Sequence, residues 1–251
     1  MRKKIDRQFD KIDSEKILFF DDHAFNPDNV CIVTSAASGI GRATAIAAAA
    51  NNLMTVGLDA NDREGKMTQQ IARAMGGQMI YLKADSTNDS QIEHAVSEAA
   101  KIGNIRYFAN IPPLVHTTAP TTIEQYDDIN RRLFRAPFLF CRRITDRMLA
   151  TERKTGVVGN IFWQDGHSGP KHCSGRVDQA PVFDPEHRTG KGNGIHYFNL
   201  RVRFDMAVSP PAAMDAANLI MFGFSRFAGA FFGVDLTAPG DPGTVDRVAR
   251  P

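Results

Sequence analysis

Residues 30–41, VCIVTSAASGIG, run from an apolar stretch through a turn of small residues straight into the alanine-rich segment 42–50. Val, Cys and Ile without a polar interruption suit a strand buried on both faces. A helix that begins at Gly39 offers unpaired N–H groups and a partial positive charge beyond the strand's end. With Gly39 and Gly41 lacking bulk, a phosphate can approach the backbone, so strand, turn and helix start together predict a pyrophosphate site.

The same alternation continues outward from this stretch. Short apolar runs at 30–34, 54–59, 79–84, 105–109 and 156–162 read as strands, and periodic stretches at 39–52, 62–75, 90–102 and 121–150 read as helices. Strands alternating with helices of this length mean βαβ crossovers, hence a doubly wound, Rossmann-like parallel sheet of α/β class. Thr87 through Ser90 is a capping run for the third helix, and Gly103 closes it.

Composition bounds the rest. At 251 residues with 43% apolar content, the chain suits one α/β domain with a large core. Thirty Lys and Arg against 28 Asp and Glu leave no basic face, so no nucleic-acid partner is implied. Cys31, Cys141 and Cys173 are widely spaced, and the first two lie in apolar surroundings, as reduced thiols of a cytoplasmic protein do. Residues 1–29 read as a polar N-terminal arm without a signal-peptide or membrane-spanning run, either laid over the core with Ile17, Leu18, Phe19 and Phe20 as its anchor or a disordered tail. The domain then spans 30–240, and 241–251 is a loose tail.

Residues 164–203 break the pattern, with six glycines, four of the seven histidines and no sustained apolar period. The segment 164–211 therefore reads as an irregular loop or insert, and its composition is also that of an out-of-frame insertion. Order returns at 212–233, a strongly apolar helical segment, and a short VDLTA run follows as the last strand.

Asp59 closes the second strand 18 residues after Gly41. An acidic side chain there accepts hydrogen bonds from ribose hydroxyls and repels a 2′-phosphate, which favours NAD over NADP. The bland alternative is a turn or N-cap aspartate, since Asn61 and Asp62 follow.

At these residues the chain resembles the short-chain dehydrogenase/reductase family. Thr34-Ser35-Ala36-Ala37-Ser38-Gly39-Ile40-Gly41 is similar to its Thr-Gly-x-x-x-Gly-x-Gly turn, with Ser35 in place of the first glycine. Ser38 stands where NADP-using members often carry a basic residue, which again implies NAD. The resemblance makes Asp85, followed by Ser86, the aspartate of the adenine pocket. It makes Asn110 the first residue of an Asn-Asn-Ala-Gly segment beside the nicotinamide ribose, although Pro112 and Pro113 depart from the pattern. It implies a small-molecule alcohol or ketone substrate, hydride transfer and a homo-oligomer. The match covers 30–163 and, in outline, 213–240.

The chemistry belongs to the stretch between. The family's serine, tyrosine, lysine and helical asparagine exchange a proton with the substrate oxygen, the lysine lowering the tyrosine's pKa. Extending the match from GVVGNIF places Trp163, Arg176 and Ala180 at the serine, tyrosine and lysine positions, and none can act so. Tyr197 and Arg201 keep the four-residue step, but Tyr197 lies only 41 residues before Ala238, too few for the elements expected between them. Ser168 with His167 or His172 lacks a group to orient the base. His167, His172, Cys173 and His187 fit no ordinary zinc spacing, so no metal is expected. Two functions stay open: an NAD-dependent short-chain oxidoreductase, or an inactive dinucleotide-binding or scaffold protein, a damaged enzyme included, that lacks the Tyr-x-x-x-Lys pair. With the tyrosine-bearing helix not visible, the usual helix interface for oligomers is in doubt as well.

Overall fold

The structure, a computed structural model, describes residues 14–113, 122–164, 194–203, 210–231 and 235–237. Its centre is a parallel sheet of β1 (Asn29–Thr34), β2 (Met54–Asp59), β3 (Met79–Lys83), β4 (Asn104–Asn110), β5 (Gly156–Gln164), β6 (Ile195–Arg203) and β7 (Asp235–Thr237). The strand order is β3-β2-β1-β4-β5-β6-β7. The order reverses between β1 and β4, and the crevice beyond the carboxyl ends of those strands is where a doubly wound sheet binds ligands.

Two cores flank the sheet. On one side lie α1 (Gly39–Ala50) and α6 (Pro210–Phe224) with α2 (Asp62–Ala74), packing Ile40, Ile46, Met214, Ile220, Met221 and Phe224 against Val33, Tyr107 and Phe198. On the other lie α3 (Asp89–Ile102) and α5 (Ala136–Leu149), which bury Ile92, Val96, Phe140, Ile144 and Met148 against Ile32, Phe108 and Val158. Helix α1 is buried almost throughout, and its alanines permit this because they let helix and sheet backbones come close.

The long helix expected at 121–150 is interrupted. It consists of α4 (Ile123–Asn130), a π turn at Arg131–Arg135, and α5. Pro137 has no N–H to return to the carbonyl four residues earlier, and the wider turn directly before it absorbs that break.

The segment expected to be irregular at 164–211 contains a strand and the start of a helix. Residues 195–203 pair in parallel with β5, from Gly156↔Ile195 to Gln164↔Arg203. The signal was an alternation of Phe198, Leu200 and Val202, all buried, with Asn199 and Arg201. Its polar members masked it, because a half-buried strand lacks the continuous apolar run of the central strands. Helix α6 begins at Pro210, and the capping residue of α3 is Asn88, whose side chain accepts the Gln91 N–H at 3.1 Å.

The described part of the arm, from residue 14, packs on the core. Ile17 and Phe25 are buried, Phe20 packs against the core, and Leu18 and Phe19 are exposed. Two asparagines grip its backbone. Asn218 accepts the Leu18 N–H at 3.0 Å and donates to the Lys16 carbonyl at 2.7 Å. Asn51 donates to the Leu18 carbonyl and accepts the Phe20 N–H, both at 2.9 Å.

Candidate functional site

The turn between β1 and α1 is built around Ser35, whose φ of 55° lies in the left-handed region. A side chain pays there in steric strain. The hydroxyl offsets part of it by donating to the Ile111 carbonyl at 2.8 Å. Thr34 ties the same strand end from its own side, accepting the Ile111 N–H at 2.8 Å and donating to its carbonyl at 3.0 Å. Gly39 has φ 51°. At Gly41 an added Cβ would meet the Ser35 carbonyl oxygen at 2.0 Å, so only glycine lets α1 start this close to the strand.

Ser38 is the N-cap of α1, exposed, and its side chain makes no cap hydrogen bond. The first turn of α1 carries no acidic residue. The N–H groups of Gly39, Ile40 and Gly41 lack partners within the helix by construction, so this end suits a pyrophosphate.

Asp59 stands at the tip of β2 beside that turn. Its Oδ2 accepts the Ala37 N–H at 3.1 Å and its Oδ1 the Asn61 N–H at 2.9 Å. The turn reading and the ribose reading are thus compatible: one carboxylate fixes the glycine turn and the start of α2 while lining the cavity. The N-cap of α2 is Asn61, which accepts the Glu64 N–H at 3.3 Å. Asp85 accepts from the Thr87 N–H and hydroxyl, each at 2.8 Å. Those bonds, the Thr87 N–H foremost, hold its carboxyl below the usual range, and the Arg132 charge adds to the effect.

These groups share a cavity of about 130 Å³ whose walls include Thr34, Ser35, Asp59, Asp85, Ser86 and Asn110. Asn110 is buried, and its Nδ2 lies 3.1 Å from both Cys141 Sγ and Asn160 Oδ1 and 3.3 Å from the Pro137 carbonyl. The Cys141 thiol donates to Asn160 Oδ1 at 3.2 Å. Ser38, Gly39, Ile40 and Gly41 do not line this cavity; they form the adjacent helix start.

Two residues around the site were not read from the sequence. Arg42, buried on α1, donates to the Ala37 carbonyl at 2.5 Å and to Glu64 at 2.6 Å, with Nε on Thr68 Oγ1 at 3.1 Å. It clamps the glycine turn to α2. An arginine one position after the last glycine is the signal, but nothing in the sequence tells a buried clamp from a surface charge. Arg132, in the π turn, lines the cavity.

Tyr197 and Arg201 do not form the pair that their spacing suggested. Both lie on β6, where Tyr197 pairs with Val158 and Arg201 with Phe162. Four residues along a strand span about 13 Å, against about 6 Å along a helix. The Tyr197 hydroxyl lies 3.2 Å from Thr145 Oγ1 on α5, and neither residue lines the cavity. Asn130, the lone asparagine of residues 123–149, does not line it either. His167, Ser168, His172, Cys173, Arg176, Ala180 and His187 lie outside the described residues.

The model of the short chain dehydrogenase family matches residues 29–174, more than half of the chain. The chain belongs to that family, whose members bind nicotinamide dinucleotides. It is 25% identical over 157 residues to an uncharacterized oxidoreductase of Thermotoga maritima, covering 61% of each. It is 24% identical over 158 residues to levodione reductase of Leifsonia aquatica, covering 58% of this chain and 59% of that one. The chain thus spans about three-fifths of the length of these curated relatives. A short chain dehydrogenase of Mycobacterium smegmatis shares the fold, with a TM-score of 0.74 at 17% identity over 89% of this chain and 96% of that one. No helix among the described residues is long and apolar enough to cross a membrane.

Proposed function

We propose that the chain is an NAD(H)-dependent oxidoreductase acting between a nicotinamide cofactor and a small alcohol or ketone. The observation that carries this reading is Asp59, an acceptor at the tip of β2 that is fixed against the glycine turn and lines the cavity. The residues fit the cofactor: Gly39, Ile40 and Gly41 offer N–H donors to a pyrophosphate, Asp59 accepts from ribose hydroxyls, and Asp85 and Ser86 meet the adenine edge. Asn110, held by Cys141, Asn160 and Pro137, bounds the nicotinamide side. When bound, the nicotinamide supplies the hydride acceptor or donor.

A second reading, dinucleotide binding without turnover, is favoured by one observation. Tyr197 keeps its hydroxyl on Thr145 and away from the cavity. Titration with NAD and NADP, followed by turnover assays on a panel of secondary alcohols, separates the two. The first reading expects NAD to bind at least about tenfold tighter than NADP, because a 2′-phosphate meets the Asp59 charge, and expects a measurable rate. NAD binding without a rate selects the second reading, and a preference for NADP contradicts the assignment of Asp59.

A further inference from the structure

Ala37, in the turn between β1 and α1, is held from two sides. Its N–H donates to Asp59 Oδ2 at 3.1 Å, and its carbonyl accepts from Arg42 Nη2 at 2.5 Å. The carbonyl before it, that of Ala36, accepts the Thr68 hydroxyl at 2.9 Å. Arg42 is 4% exposed, and its guanidinium also bonds Thr68 Oγ1 through Nε at 3.1 Å and Glu64 Oε2 through Nη2 at 2.6 Å. Thr68 and Glu64 both belong to α2, so two consecutive carbonyls of the turn are tied to one polar cluster on the α2 side.

A carbonyl left free in this turn would put a partial negative charge beside the start of α1, where an anion is to bind. In a planar trans peptide the C=O and the following N–H point in opposite directions, and no peptide bond among the described residues is cis. Fixing the Ala36 carbonyl on Thr68 therefore sends the Ala37 N–H to the opposite side, where Asp59 accepts it. By the same geometry, fixing the Ala37 carbonyl on Arg42 turns the Ser38 N–H away from the cluster, and Ser38 is exposed.

We infer that Arg42 is a positioning residue for the pyrophosphate of a dinucleotide: by holding the Ala37 carbonyl it keeps the turn in a conformation that offers an anion N–H donors and no acceptor. This rests on the dinucleotide reading above and adds to it a residue that acts through the Ala37 peptide. A direct bond from the guanidinium to a phosphate is the competing role, and the contacts disfavour it. Nη2 is shared between Glu64 and Ala37, the side chain is buried, and the Glu64 carboxylate neutralises its charge. The fork of donors that reaches Thr68, Glu64 and Ala37 together belongs to arginine, since an ammonium is a point charge.

The test is calorimetric titration of the full chain with NAD, wild type against Arg42→Met, Arg42→Lys and Glu64→Gln, each at a temperature where its own melt shows it folded. Glu64→Gln breaks the same ion pair but leaves the bond to Ala37, so it separates positioning from stability. NAD is expected to bind about five- to thirtyfold more weakly to Arg42→Met and at least about threefold more weakly to Arg42→Lys. Glu64→Gln is expected to stay within about twofold of wild type although its melting temperature falls. Adenosine, which has no phosphate and is read by its displacement of NAD, is expected to change by less than about twofold in Arg42→Met. If Arg42→Met does not fold, Arg42→Lys against Glu64→Gln decides. NAD affinity unchanged in the Arg42 variants overturns the inference and leaves the dinucleotide reading standing. Equal weakening in Glu64→Gln and the Arg42 variants assigns the loss to the ion pair and overturns it, as does adenosine weakened as much as NAD. Wild-type protein that binds no NAD at millimolar concentration removes the dinucleotide reading itself, and this inference with it.

Discussion

Ser35 and Gly41 show how little freedom the turn has. The family's first glycine is replaced by a serine that adopts φ 55°, a conformation costing a side chain about 1–2 kcal/mol. Its hydroxyl bond to Ile111 keeps the substitution tolerable. Gly41 has no such latitude, because its Cβ would sit 2.0 Å from the Ser35 carbonyl oxygen. Gly41→Ala is expected to destabilise the fold by about 3 kcal/mol or more in urea denaturation, as forced overpacking does. Ser35→Ala, which keeps the strain and loses the bond, is expected to cost about 1 kcal/mol. A Gly41→Ala protein as stable as wild type would show that α1 does not start against Ser35.

At the scale of elements, α3 is laced by ion pairs to the π turn and to α5. Asp89 pairs with both terminal nitrogens of Arg135 at 2.6 Å, and Glu93 pairs with Arg143 and Arg147. The Arg147 hydrogen bond is the foremost cause that holds the Glu93 carboxyl below its ordinary value. A folded-state pKa below the unfolded one stabilises the protein above the ordinary carboxylate range, and that share is lost as pH falls through it. Glu93→Gln should therefore lower stability by about 0.5–1 kcal/mol at pH 7, since solvent and salt screen these half-exposed groups, and by almost nothing near pH 3. Equal losses at both pH values, read from urea curves, would mean that packing and not charge is responsible. Legibility followed the same physics. The central strands, buried on both faces, and the strongly periodic helices were plain in the sequence. Strand β6 was not, because its alternation is broken by His196 and Tyr197 and follows a glycine-rich stretch. The π turn was hidden because Pro137 reads as a helix breaker without saying how the break is absorbed.

For the molecule as a whole, the arm and the site differ in what the sequence reveals. Of the expected anchor, Ile17 and Phe20 pack on the core, Leu18 and Phe19 are exposed, and the buried Phe25 was not singled out; Asn51, just past α1, and Asn218, on α6, bind the arm's backbone and carry no local pattern, and only the fold brings them together. Asn218→Ala removes two hydrogen bonds and is expected to cost about 2 kcal/mol and to speed proteolysis within 14–28. Unaltered stability and cleavage would show that the Asn218 bonds do not hold the arm. In the site, the positions of the glycine turn, Asp59 and Asn110 were legible because they end a strand or open a helix, and Asp85 follows β3 in the loop before α3. The placements of Arg42 and Arg132 were not legible, because they depend on what each helix face meets, α2 for Arg42 and the cavity for Arg132.

The most direct test of the account is NAD titration by calorimetry, wild type against Asp59→Ala. Micromolar binding is expected, weakened in Asp59→Ala by about ten- to a hundredfold, the range for charge-assisted hydrogen bonds to the ribose. Absence of binding at millimolar NAD, or equal binding by both proteins, would contradict it.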